Sequence, residues 1–385
     1  MIRRLLPSLA LGASLATALF AAAPLTAQQA AEPWKDSFYP IIRYSGNDGV
    51  SLGIRYAWTQ RSRYEDPYFN SGAIVTDLAW SASGSLGASV RFKAPGLSRN
   101  WRFDVGLGAI KQNRYEFYGV GENTTYHADS VTDTQKYYYR VRRAQISARG
   151  EASRRLLGRL WLTGMAQWKT TKFSDLPGPS IFTTEFPKEL NENDIIGRIG
   201  VVFDNRDNDY DTHRGMLLDA GLLRGTAGEG YGRWVFEGRG WIPFGEWNST
   251  WISLRGVAAA QTDGELPLDS KLYLPTWEGQ VRVLGGAESH RGFLDQRYIG
   301  RDLLFANAAV NHDILNGGIF AFGATAFMDA GRVFEESKFK LSTEGMKVGG
   351  GGGLYLRFLQ TGIYTFNFGT GPDGFIFTLG NSWMF

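Results

Sequence analysis

The side chains in this 385-residue chain that could do chemistry are few and scattered. There is no cysteine, which excludes disulfides, thiolate nucleophiles and thiolate metal sites. The four histidines, His127, His213, His290 and His312, stand far apart, with no Ser-His-Asp order and no HExxH spacing. "DNDYD" at 207–211, together with Asp204, offers alternating carboxylate oxygens of the kind that bind calcium. It lacks the glycine at the sharp turn and the bidentate glutamate that complete such a loop, so it reads as a turn between strands. The densest polar stretch is "GGAESHRGFLDQRYIGRD", residues 285–302. Its Gly285, Gly286 and Gly292 permit positive φ and close approach to a wall, and Arg291 can reach an interior carboxylate where water is scarce. That is the chemistry of a latch, not of a catalyst; no enzyme activity, cofactor or metal is expected.

A latch needs a wall to hold. Glycine, at 49 residues, and aromatics, at 14%, suit strands rather than helices, and a formal charge of +3 with no basic block argues against nucleic acid. "MIRR", the small-residue apolar stretch that follows and "PLTA" make residues 1–27 a signal peptide ending at Ala27. Residues 28–37 are then a short periplasmic segment, and 38–385 a single domain. Within it, stretches of about ten residues alternate with period two. In "WRFDVGLGAI", Trp101, Phe103, Val105, Leu107 and Ala109 share one face, while Arg102 and Asp104 occupy the other. "LWLTGMAQWK" and "GIYTFNFG" repeat the form.

These stretches are longer than sandwich strands and suit a tilted crossing of a bilayer, apolar side to lipid and polar side to a lumen. The predicted fold is an all-β transmembrane antiparallel barrel of about 16 strands with a long loop folded into the lumen. The strands fall near 38–44, 50–60, 74–83, 85–94, 101–112, 137–152, 157–170, 194–205, 214–224, 231–242, 249–261, 301–313, 318–329, 346–358, 361–369 and 375–385. Long connections at 113–136, 171–193 and 330–345 belong outside the cell, and short ones such as 153–156 and 314–317 on the periplasmic side. The segment 61–73 is the exception, long where a periplasmic turn is expected.

The chain ends "TLGNSWMF", in which Thr378, Gly380, Trp383 and Phe385 resemble the C-terminal insertion signal of outer-membrane barrels. Phe375, Phe377, Leu379, Trp383 and Phe385 are expected on one outward face. "LGG...HRGF" ahead of "YIGRDLLFANAAV", then "ATAFMDAGRVF", "FDNRDNDYDTHRG" and "EFYGVGENT" together resemble the BamA/TamA-type family, the bacterial surface antigen barrels, over nearly the whole mature chain. The resemblance implies that Arg291, Gly292 and Phe293 lie in the sixth extracellular loop, between strands eleven and twelve, and that Arg291 pairs with Asp329 of "FMDAG" on strand thirteen. Where the family often has a second acid in an Asn-x-Glu-x-Arg pattern, this chain reads Asn307, Ala308, Ala309, Val310, Asn311. The segment before residue 38 is too short for the family's periplasmic polypeptide-transport-associated modules. The implied role is assistance in insertion or translocation of protein or lipid at the bacterial outer membrane. The implied partners are outer-membrane lipid and lipopolysaccharide, the barrel assembly machinery for the chain's own insertion, and a separate periplasmic partner or client. A passive pore is the alternative; an outer-membrane lipase fits less well, for want of a Ser-His pair.

Overall fold

The computed structural model describes residues 32–385 apart from 46–47, 64–65, 187–188, 246–248, 319 and 359–361. The expected signal peptide lies outside the described residues. The alternating stretches form one antiparallel sheet of 16 strands, each hydrogen-bonded to the next in chain order. The first eleven are β1 (Lys35–Ser45), β2 (Gly49–Arg61), β3 (Asn70–Ser81), β4 (Leu86–Ala94), β5 (Trp101–Glu116), β6 (Arg140–Leu157), β7 (Leu160–Ser174), β8 (Glu189–Asp204), β9 (Gly215–Gly225), β10 (Tyr231–Phe244) and β11 (Thr250–Gly264). A short helix α1 (Ile181–Glu185) stands between β7 and β8. After β11 the chain leaves the sheet for helix α2 (Leu268–Leu272) and a separate hairpin of β12 (Tyr273–Thr276) and β13 (Gly279–Arg282). It rejoins as β14 (Asp302–Asn316), β15 (Phe320–Phe334), β16 (Lys347–Phe358), β17 (Gly362–Gly371) and β18 (Gly374–Gly380). Cα atoms of β1 and β18, the two ends of the ladder, come within 8 Å of each other.

Polarity is inverted relative to a water-soluble core. On β5, Val105 and Leu107 face outward and are exposed, whereas Arg102 and Asp104 are buried. On β8 and β9 the outward residues Ile199 and Leu222 are exposed while Arg198 and Asp219 have no solvent-accessible side-chain surface at all. Side chains that would cost several kcal/mol to bury alone are buried here in pairs, and the apolar ones stand outside, as in a barrel whose solvent is lipid. The loops divide by length as well: 117–139, 175–188, 265–301 and 335–346 crowd one rim, and turns such as 158–159 and 317–318 mark the other.

Two expectations need correction, and one exception finds its reason. The first strand starts at Lys35 and so takes up the last three residues of the segment read as periplasmic tail. The last strand stops at Gly380, because beyond the Thr365–Gly380 pair the chain turns into the lumen instead of continuing to residue 385. The long connection after β2 belongs to the short-turn rim and is long because it docks. The Phe69 amide donates to Asp209 at 3.1 Å, and the Asp209 amide donates to the Pro67 carbonyl at 2.8 Å. The turn 205–214, which contains "DNDYD", thereby spans toward β2 and β3 from the far side of the sheet.

Candidate functional site: a loop held in the lumen

The connection from β11 to β14 runs into the lumen, and residues of many strands hold it. Near its start, Asp269 of α2 accepts from Arg143 at 2.6 Å, Lys169 at 2.7 Å and Gln145 at 2.9 Å, all on β6 and β7. Burial alone would raise this carboxyl, but Arg143 and then Lys169 hold it below its ordinary range. Leu268, Leu272, Val281, Val283 and Leu284 meet Phe173, Phe182 and Val257 from the wall and upper loops in a continuous apolar cluster. The lumen therefore has a packed interior of its own, supplied largely by the loop.

The β12–β13 hairpin reaches from the long-loop rim toward the short-turn rim. At its tip the Trp277 amide donates to Asp219 at 2.8 Å and the indole Nε1 to Ser153 Oγ at 3.0 Å. Glu278 has a positive φ of 51°, which an L-residue adopts only at a cost on the order of 1 kcal/mol. Its backbone amide donates to Glu151 at 3.1 Å, and its carboxylate meets Lys93 at 2.7 Å and Arg102 at 3.7 Å. Burial would push the Glu278 carboxyl up; Lys93, then Arg102, outweigh it and keep it below its ordinary value. The strands that hold this tip are β4, β5, β6 and β9.

Beyond the hairpin lies the Arg-Gly-Phe segment. Arg291 and Asp329 are brought together: Asp329 Oδ2 accepts from the Arg291 amide at 2.8 Å and from Nε at 2.9 Å, and Oδ1 accepts from Nη2 at 2.7 Å. The guanidinium also lies 3.7 Å from the centroid of Phe327 and 5.6 Å from that of Phe385. At the place of the second acid the chain has Ala309, and Asn307, two residues earlier, acts as a donor, from Nδ2 to Asp329 at 3.0 Å and to the Ser289 carbonyl at 2.7 Å. A single carboxylate with a neutral helper balances one guanidinium, whereas two acids would leave a buried surplus of charge. Phe293 is fully buried and stacks on His290, with ring centroids 3.7 Å apart. Gly292 packs so closely that a Cβ there would lie 2.8 Å from the Thr370 carbonyl, and one on Gly369 would lie 2.4 Å from the Arg291 carbonyl. The loop needs bare backbone on both sides of this contact.

The predicted insertion signal divides. Thr378 and Gly380 lie on β18, but Trp383 and Phe385 do not share its outward face. Trp383 Nε1 donates to Asp211 at 2.9 Å, and its ring packs on Trp251 and Tyr355. Phe385 is buried among lumen residues including Phe327 and Tyr355. The aromatic terminus thus gains a buried site that an outward strand would not give it. Asp211 also pairs with Arg357, which in turn pairs with Asp313. Asp204 at the end of β8 and the aspartates of the 205–214 turn are engaged by protein donors, Asp204 by Arg206, Asp207 by the His213 amide and Asp209 by the Phe69 amide.

Sequence reading missed the hairpin and its anchors. Glu278-Gly279 between "YLPT" and "QVRV" was a usable turn signal, and the glycine run 349–353 marked the bare wall against which the latch closes. Nothing local pointed to Asp269, whose side-chain partners Arg143, Gln145 and Lys169 lie a hundred residues or more earlier, or to the meeting of Asp219 with Trp277.

A lumen loop carrying Arg-Gly-Phe on a 16-stranded wall is matched by a family model: the Omp85 superfamily domain aligns with residues 43–383. The chain belongs to the Omp85 superfamily. Solved structures similar to this Omp85 barrel include BamA from Haemophilus ducreyi lacking POTRA domains 1–3, with a TM-score of 0.57, 12% identity, and coverage of 90% of this chain and 69% of that one. CdiB from Escherichia coli has a TM-score of 0.56 at 13% identity, and CdiB from Acinetobacter baumannii 0.51 at 14%. Each is covered over 90% of this chain, which spans 60% and 58% of their respective lengths. At such identities the likeness is one of fold. No curated protein matches the chain.

Proposed function

We propose that this Omp85 barrel resides in the bacterial outer membrane, where it inserts or translocates polypeptide, with a separate periplasmic partner delivering the client and residues 1–27 removed on export. It is not an enzyme on this reading. The observation that carries the proposal is the pinned loop: a passive pore gains nothing from filling its lumen with a hairpin anchored by buried ion pairs on β4 to β9 and a second latch on β15. Beside the place where β1 and β18 meet lies a cavity of about 510 Å³, bordered by Arg43, Thr378, Glu288 and Asp295. A client segment entering there would lie between the loop and the two terminal strands of the ladder.

Reconstitution tests the reading. Vesicles containing the full chain should speed the folding of a urea-unfolded outer-membrane barrel relative to empty vesicles, while conductance across a planar bilayer stays low and flickering. A steady, large conductance with no gain in client folding would establish the passive pore instead.

A further inference from the structure

The outer wall carries a cation cluster that the lumen loop does not explain. On β5 to β7, at the rim of long loops, Lys111, Arg114 and Lys172 are exposed, and Arg140 and Arg142 are half-buried. Strand alternation turns Lys111, Arg114, Arg142 and Lys172 away from the lumen, since their neighbours Tyr115, Val141, Arg143, Thr171 and Phe173 are the buried, inward residues, whereas Arg140 reaches the buried Glu116. Lys111 and Lys172 flank Ala144 in one row of the ladder, and Arg142 stands two residues further toward the rim on the same strand as Ala144. With strands about 4.8 Å apart and two residues rising nearly 7 Å, the three cations surround a shallow notch roughly 10 Å wide over a small side chain. The acids within reach number fewer than the cations. Glu189 pairs with Lys172 at 2.8 Å, and the buried Glu116 pairs with Arg140 at 2.9 Å.

Two other sectors of the outer wall at this rim differ. The outward residues of β2 and β3 there are Val50, Leu52, Leu78 and Trp80, and Arg224 on β9 pairs with Asp263 on β11. Directly below the notch the wall is apolar, with Leu107, Ile146 and Trp168 exposed. A Cβ added at Gly150 or Gly164, lower on the same two strands, would meet nothing within 4 Å. Cations at headgroup depth above apolar wall are placed to hold an anionic headgroup whose acyl chains run down the barrel.

We propose that Lys111, Arg114, Arg142 and Lys172 bind the phosphate groups of a phosphorylated glycolipid of the outer leaflet, lipopolysaccharide, in one sector of the barrel. This rests on the outer-membrane reading above, which makes the long-loop rim the outer-leaflet side. The test uses the full chain in nanodiscs doped with lipid A, with bound lipid read by native mass spectrometry and by retention through washing. The triple variant Lys111→Gln/Arg142→Gln/Lys172→Gln should retain lipid A at least about tenfold less well than the parent, since each cation at an anionic surface contributes appreciably. Arg224→Gln, which changes an outward cation of another sector, should bind as the parent does. Dephosphorylated lipid A should be lost from parent and variant alike, and millimolar inorganic phosphate should not displace lipid A. Equal retention by parent and triple variant, or undiminished retention of the dephosphorylated lipid, would overturn the proposal; displacement by inorganic phosphate would make the notch a free-anion site. Heat-modifiability in the same samples keeps the two readings apart. A parent that never forms a heat-modifiable membrane-inserted barrel undermines the membrane assignment, whereas inserted parent and variant with equal lipid undermine only this site.

Discussion

Removing either partner of the Arg291–Asp329 contact should free the loop, but by unequal amounts. Asp329 accepts four hydrogen bonds, three from Arg291 and one from Asn307. Arg291→Ala takes away the two bonds from the guanidinium and leaves the carboxylate with the residue-291 amide and Asn307, a loss of about 2–3 kcal/mol. Asp329→Ala leaves a guanidinium that is 4% exposed with, among the described residues, the aromatic faces of Phe327 and Phe385 for partners. That cost is about 3–5 kcal/mol, the range for an uncompensated buried charge. The double change leaves no stranded charge, so it should cost less than the sum by roughly 2 kcal/mol or more. Because the chain has no cysteine, Val283→Cys, a buried loop position, gives a single reporter thiol. If reclosing outpaces modification, labelling rates follow the open population, and 3 kcal/mol appears as an increase of about 100-fold. Additive effects of the two changes, or labelling at the parent rate in Asp329→Ala, would refute the reasoning and leave the contact incidental.

Further outcomes follow from the other anchors. Asp269 and Glu278 both titrate below their ordinary range, so the unfolded carboxylates bind protons first; their contribution is complete above the unfolded values near 4 and is lost as pH falls through the depressed folded values. Labelling at position 283 should accordingly rise as pH falls below about 4; a rate unchanged from pH 5 down to about 3 would contradict this. Gly369→Ala should raise the same labelling with both latch residues intact, because its Cβ would lie 2.4 Å from the Arg291 carbonyl. Deleting Phe385 should lower the yield of heat-modifiable barrel in cells, and Phe385→Ala should also destabilise purified barrel by about 3 kcal/mol, since its ring is buried. A loss of yield without any loss of stability would favour a recognition role alone.

The wall was legible because its physics is local. Period-two alternation with charge on one face, as at Trp101 to Ala109, needs only neighbouring residues, and the boundaries read from it lie within a few positions of most strands. The Arg-Gly-Phe loop was legible through several ordered motifs together. The hairpin was not, because what holds Glu278 in the lumen is Lys93 and Arg102, far earlier in the chain, and no local pattern encodes that meeting. The chain end was misread for a related reason: alternation through Phe385 favours an outward strand, and only Asp211 and the aromatic residues near the short-turn rim show why Trp383 turns inward.

The lumen loop also carries an order of events. Its hairpin grips residues that precede it in the chain, Lys93, Arg149, Glu151 and Asp219, whereas residues 289–292 grip residues that follow, Asn307, Asp329, Lys347 and Thr370. A chain assembled from its amino end can seat the hairpin once the first eleven strands exist, and the seated hairpin then presents Arg291 to strands not yet added. In that order of assembly, the loop that fills the finished lumen would first serve as a template on which the second part of the wall is aligned.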